Sequence, residues 1–230
     1  MPDNTRELIL KVLQEKAVLK LEVCEQTEIA FRNLKQVLLE IQDEIRSSIH
    51  KVISKNTPIS FVDRGDFEAG FDIVDDSIYF LRHTNVFTFE QNHEIWKSSY
   101  VQQDAVRSHC GKIDVYNFLS DSFKYNRAND IGYLIARIFI NKDNHFFVEG
   151  KRQLGFMYHD FQNDVFDKKS IMNVVESILL YSLDFDPFVP PYENMQQLTV
   201  QDILDVNAKG KIATGKRLGF RFQTESGEPF

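Results

Sequence analysis

Residues 5 to 54 contain neither glycine nor proline, and this limits what the chain can fold into more than any other feature. Apolar side chains recur at Leu10, Leu13, Ala17, Leu21, Cys24, Phe31, Leu34, Leu38, Ile41, Ile45, Ile49 and Val52, mostly in steps of three and four. That is the period of a helix with a buried face. Asn4 as N-cap with Glu7 three residues later makes a capping box, and Asn56-Thr57-Pro58 supplies a stop. A continuous helix of about fifty residues is roughly 75 Å long, whereas the rest of the chain, if compact, is on the order of 40 Å across. Such a helix either bends back as a hairpin near Glu25-Gln26-Thr27 or projects and pairs with another chain. Lys20 and Thr27 or Glu28 stand where strict heptads want apolar residues, so a regular two-stranded coiled coil is not secured. The favoured reading is an oligomerisation or protein-interaction segment with Leu34, Leu38, Ile41, Ile45 and Ile49 as the interface.

The composition changes sharply after this segment. Of 20 Phe, 8 Tyr and 1 Trp, only Phe31 precedes residue 56, which places a boundary between a helical segment, 1–56, and an α+β domain, 57–230. Seven β-type runs follow: Ile59 to Val62, Phe67 to Val74, Ile78 to Arg82, Val86 to Phe89, Ile113 to Phe118, Ile131 to Ile140 and Phe146 to Arg152. The turn residues Asp75-Asp76, His83-Thr84-Asn85 and Lys142-Asp143-Asn144 separate several of them, so an antiparallel meander is expected. Asp167 caps the apolar run SIMNVVESILLYSL, a helix apolar around most of its circumference and hence expected to be buried. DFDPFVPPYE reads as an extended connector. Thr199 as N-cap, with Asp202 three residues on, introduces a short helix ended by Gly210. A tail with Lys209, Lys211, Lys216, Arg217 and Arg221 closes the chain.

The net charge is −7 with a pI near 5.4, which argues against nucleic acid as the main partner, because phosphate binding needs a clustered positive surface. Residues 56 to 208 hold 13 basic and 23 acidic side chains, so the basic tail is an exception on an acidic body. It carries the minority reading of nucleic-acid binding, aided by Lys124 and Arg127. Cys24 and Cys110 form no Cys-x-x-Cys pair, so no disulfide framework or thiolate metal site is expected and a reducing compartment is implied. Charges interrupt the N-terminal apolar pattern, so no signal peptide or membrane span is expected. The reading is a soluble cytoplasmic protein.

One motif hints at catalysis. Glu149-Gly150-Lys151 has the Glu-x-Lys spacing found on a strand of metal-dependent nucleases, where a neighbouring Asp joins the Glu on Mg²⁺ and the Lys activates water. Register argues otherwise. With Lys142-Asp143-Asn144 as a three-residue loop, Leu134, Ala136, Ile138 and Ile140 share an apolar face with Phe146 and Val148, and Arg137 falls opposite Glu149. An arginine then faces the supposed metal ligand, and the pair is a cross-strand ion pair. FDIVDDS reads as strand plus turn. His83, His93 and His109 lack metal-ligand spacing, and the Thr-Gly-Lys of TGKRLGF has no glycine-rich lead. No metal or cofactor is therefore expected.

SDSFKYNRANDIGY, Ser120 to Tyr133, is a loop dense in hydrogen-bonding groups. Lys124 and Arg127 are candidates for holding an anion, with Tyr125 and Phe123 stacking on a partner. Arg152, Lys216 and Arg217 complete the expected binding surface. The sequence thus points to an oligomerising interaction or assembly protein without catalytic function, whose sheet domain binds a protein or a small anionic ligand.

Overall fold

The computed structural model describes residues 2–49 and 58–184, with backbone only for 2–4, and the isolated positions 192, 196, 197, 199, 200 and 203. The proline-rich connector, most of the second short helix and the basic tail, including Lys216 and Arg217, lie outside the described residues.

The protein is α+β. Helix α1 (Pro2–Ile49) runs without interruption, so the hairpin near Glu25-Gln26-Thr27 does not form. It starts at Pro2, which places Asn4 inside the first turn rather than at the N-cap; proline suits that first position because its missing N–H would have no intrahelical partner. Strands β1 (Ile59–Asp63), β2 (Glu68–Ile73), β3 (Asp76–Arg82), β4 (Cys110–Leu119), β5 (Tyr133–Asn141) and β6 (Phe146–Gly150) form one antiparallel sheet in sequential order. Short helices α2 (Ser99–Gln103), α3 (Ser120–Lys124) and α4 (Leu154–Met157) sit in the connections, and α5 (Lys168–Leu183) follows, with the Asp167 carboxylate accepting from Ser170 N–H at 2.8 Å.

One sheet face meets α1 and α5. Phe31, Leu34 and Leu38 of α1 and Ile171, Val174 and Ile178 of α5 close over Phe71, Phe80, Ile113, Ile138 and Val148 in a single core. The residues expected to pair with another chain, Leu34, Leu38 and Ile41, are buried inside this core, and Ile45 and Ile49 pack against it. The second half of α1 is therefore part of the sheet domain, and a cut at residue 56 would remove one wall of the core. The apolar face of α5 is narrower than expected, since Leu180 and Leu183 are exposed.

Close approach of helix to sheet depends on Gly111. A Cβ there would overlap the Thr27 side chain, coming within 2.8 Å of its Cβ and Cγ2. Thr27, awkward for a heptad, sits on that glycine with its hydroxyl donating to Val23 C=O at 2.6 Å, so its polar group is satisfied while fully buried. Farther along α1, Gln42 Oε1 accepts from Phe61 N–H at 2.7 Å and Arg46 Nε donates to Ile59 C=O at 2.7 Å, covering the outer edge of β1. The opposite edge is covered by the chain returning beside β6, where Val148 N–H donates to Tyr158 C=O at 2.9 Å and Phe146 N–H to Asp164 C=O at 3.1 Å. Both edges are protected against pairing with another sheet.

Two strand expectations change. Val86 to Phe89 is not a strand; Phe87 makes only an isolated bridge to Cys110. Leu134 leaves the apolar face because the register slips opposite Val115/Tyr116: Ala136 faces Val115 while Leu134 faces Tyr116. The extra residue, Ile135, is buried in its place.

Candidate functional site

The register expected for the last hairpin holds. Arg137 lies opposite Glu149, Ile138 opposite Val148 and Ile140 opposite Phe146, with Asn144 in the left-handed conformation that closes the loop. Arg137 pairs with Glu149 Oε2 at 2.5 Å. Lys151 N–H donates to Ile135 C=O at 3.2 Å. Asp130 turns into its own loop, accepting from Ser122 Oγ at 2.7 Å and pairing with Arg127 at 3.8 Å. Asp130 therefore does not join Glu149.

Sequence reasoning missed the second partner of Glu149. His93 Nδ1 accepts from Ile95 N–H at 3.2 Å, which leaves the ring proton on Nε2, facing Glu149 Oε1 at 3.4 Å. Both ring nitrogens are thereby engaged, and the pair staples the 86–109 segment to β6. Beside the pair is a cleft of about 520 Å³ lined by His93, Lys97, Phe147, Glu149, His159 and Asp160. Among the described residues no three His, Cys, Asp or Glu side chains are grouped so as to hold a metal.

The same 86–109 segment covers a smaller apolar cluster on the outer sheet face, made by Ile95, Tyr100, Val101, Cys110, Phe139, Phe147 and Phe161. Tyr100 O–H donates to Asp143 Oδ2 at 3.0 Å and accepts from Asn141 Nδ2 at 3.0 Å. Burial pushes the Tyr100 phenol up to about 12, so it stays protonated and serves as a hydrogen-bonding strut. Burial likewise pushes the Cys110 thiol up, which keeps it from acting as a thiolate nucleophile.

Of the expected anion-binding residues, Lys124 and Arg127 both lie against the Tyr125 ring. Arg127 is almost wholly buried against Asp130. Lys124 is exposed with its ammonium 5.0 Å from the Tyr125 ring. Arg152 pairs with Asp184 at 2.5 Å and lies over Tyr181. The 120–132 loop and Arg152 share one end of the sheet, where Phe123 and Tyr125 are partly exposed and Phe123 stacks on Tyr79.

A different surface stands out. Residues 5–18 of α1 are exposed on every side, and the contacts that join α1 to the outer loops begin only near Glu22: Glu22 to Lys142 at 3.9 Å, Cys24 Sγ to Thr84 C=O at 3.7 Å and Gln26 Nε2 to Asn144 Oδ1 at 2.8 Å. The first twenty or so residues thus extend roughly 30 Å beyond the body of the domain. They are not polar: Leu10, Leu13 and Leu21 are 58%, 61% and 69% exposed.

No protein-family model matches the chain, and comparison with curated proteins and with solved structures found no match. No helix among the described residues is long and apolar enough to cross a membrane.

Proposed function

We propose that this chain is a non-catalytic assembly protein, in which the projecting half of α1 brings copies together and the sheet domain presents a surface to a protein or small anionic partner. The exposure of Leu8, Ile9, Leu10, Leu13, Val18 and Leu21 on one unsupported helical arm carries the proposal. Fully burying a leucine is worth about 1.5–3 kcal/mol, so contact along this arm recovers a substantial free energy that the isolated chain forgoes. Helices in proteins draw most of their stability from packing of an apolar face, and residues 5–18 of this arm have none among the described residues. The partner-binding half of the reading is supported by the exposed Phe123, Lys124 and Tyr125 at one end of the sheet.

Sedimentation equilibrium across a concentration series tests the proposal. The full chain should self-associate, and a Leu13→Glu, Leu21→Glu variant should be monomeric with an unchanged far-UV spectrum. A full chain that stays monomeric at all concentrations rejects the reading.

A further inference from the structure

The arm carries a sequence pattern that is symmetric about Ala17. Along one stripe of α1 the residues are Arg6, Leu10, Leu13, Ala17, Leu21, Cys24 and Glu28, with spacings that read the same in both directions. At about 100° per residue these positions fall within roughly 80° of arc. The stripe is turned about 120° away from the line of Val23, Ala30, Leu34 and Ile41 that packs on the sheet. Six of the seven are solvent-exposed and Cys24 is half-buried, so the stripe is open to a second molecule.

Resting on the assembly reading, we infer that the partner is a second copy of this chain, docked antiparallel on the stripe about a two-fold axis at Ala17. The symmetry then matches Leu13 with Leu21 of the other copy, Leu10 with its Cys24, and Arg6 with its Glu28, each pair occurring twice as an isologous interface requires. Ala17 meets its own equivalent, and its small side chain allows the closest approach at the crossing point. Charge decides between the two possible directions. In a parallel, in-register pair Arg6 faces Arg6 and Glu28 faces Glu28 along the seam, whereas the antiparallel pair turns all four into opposite-charge contacts. The antiparallel arrangement also sends the two sheet domains to opposite ends. This suits bodies that carry 13 basic and 19 acidic side chains over residues 58–184 and so repel each other.

Cross-linking of the full-length chain tests direction as well as contact. Under mild oxidation, Leu10→Cys should give a covalent dimer on a non-reducing gel, with peptide mass mapping joining the new thiol to Cys24 of the other chain. Adding Cys24→Ser should abolish the cross-link. Independently, Arg6→Glu should weaken the dimer several-fold, and combining it with Glu28→Arg should restore it. If the Leu10→Cys, Cys24→Ser protein cross-links as readily as Leu10→Cys alone, the pairing is parallel. That result overturns the inference while leaving assembly through the arm intact. Association in sedimentation without either cross-link also overturns it, and a monomeric chain overturns both it and the assembly reading.

Discussion

Residues 5–22 and 23–49 belong to one uninterrupted helix with similar apolar periodicity, yet the second part forms a wall of the core and the first part reaches into solvent. The difference is not one of hydrophobicity: Leu13 is 61% exposed and Leu34 is fully buried, and both recur in the same three-and-four spacing. What separates them is where the strands end beneath the helix. At Glu22, Cys24 and Gln26 the helix touches only Lys142, Thr84 and Asn144, loop residues at the strand ends, so at ~1.5 Å per residue the stripe N-terminal to them runs past the strands and meets no other surface among the described residues. The boundary near Glu22 is therefore geometric. It also explains why Lys16 and Lys20 are tolerated on the line that continues the sheet-facing face, since by that point the sheet has ended.

The contrast between the two halves makes graded predictions. Phe31→Ala, fully buried in the core, should cost about 3–5 kcal/mol in denaturant unfolding. A loss below ~1 kcal/mol would mean that α1 is not an integral wall of the domain. Gly111→Ala should cost roughly 1–3 kcal/mol by levering the helix off β4. Part of that loss should return on adding Thr27→Ala, because the clash is between the two side chains; strictly additive losses would show that no such contact exists. Gln42→Ala leaves Phe61 N–H without its helix partner and should cost about 1–2 kcal/mol, read as a shift of the urea midpoint at constant slope. Leu13→Ala should change the stability of dilute protein by less than about 0.5 kcal/mol while flattening the rise of Tm with protein concentration, because the side chain is unburied in the single chain.

Legibility in the sequence followed the range of the interactions. The β5–β6 register, with Arg137 opposite Glu149, could be read from alternation and loop length because both are local. So could the Asp167 cap and the helix it opens. Which half of α1 is buried cannot be read locally, because that depends on where the sheet ends in space; Leu34, Leu38 and Ile41, expected at an interface, lie in the core of the single chain. The shift of Leu134 off the apolar face arises from a bulge that strict alternation hides. The strand expected at Val86 to Phe89 has the right residue types, but β4 already pairs with β3 and β5 over most of its length. The contact of His93 with Glu149 joins residues 56 apart in sequence, and no local signal announces it.

Hydrogen exchange of α1 tests the central claim most directly. At concentrations where copies associate, amides of residues 8–21 should be protected, and the protection should fall on dilution while that of residues 30–41 stays constant. Rapid exchange over residues 8–21 at every concentration, beside a protected second half, would contradict assembly through the arm.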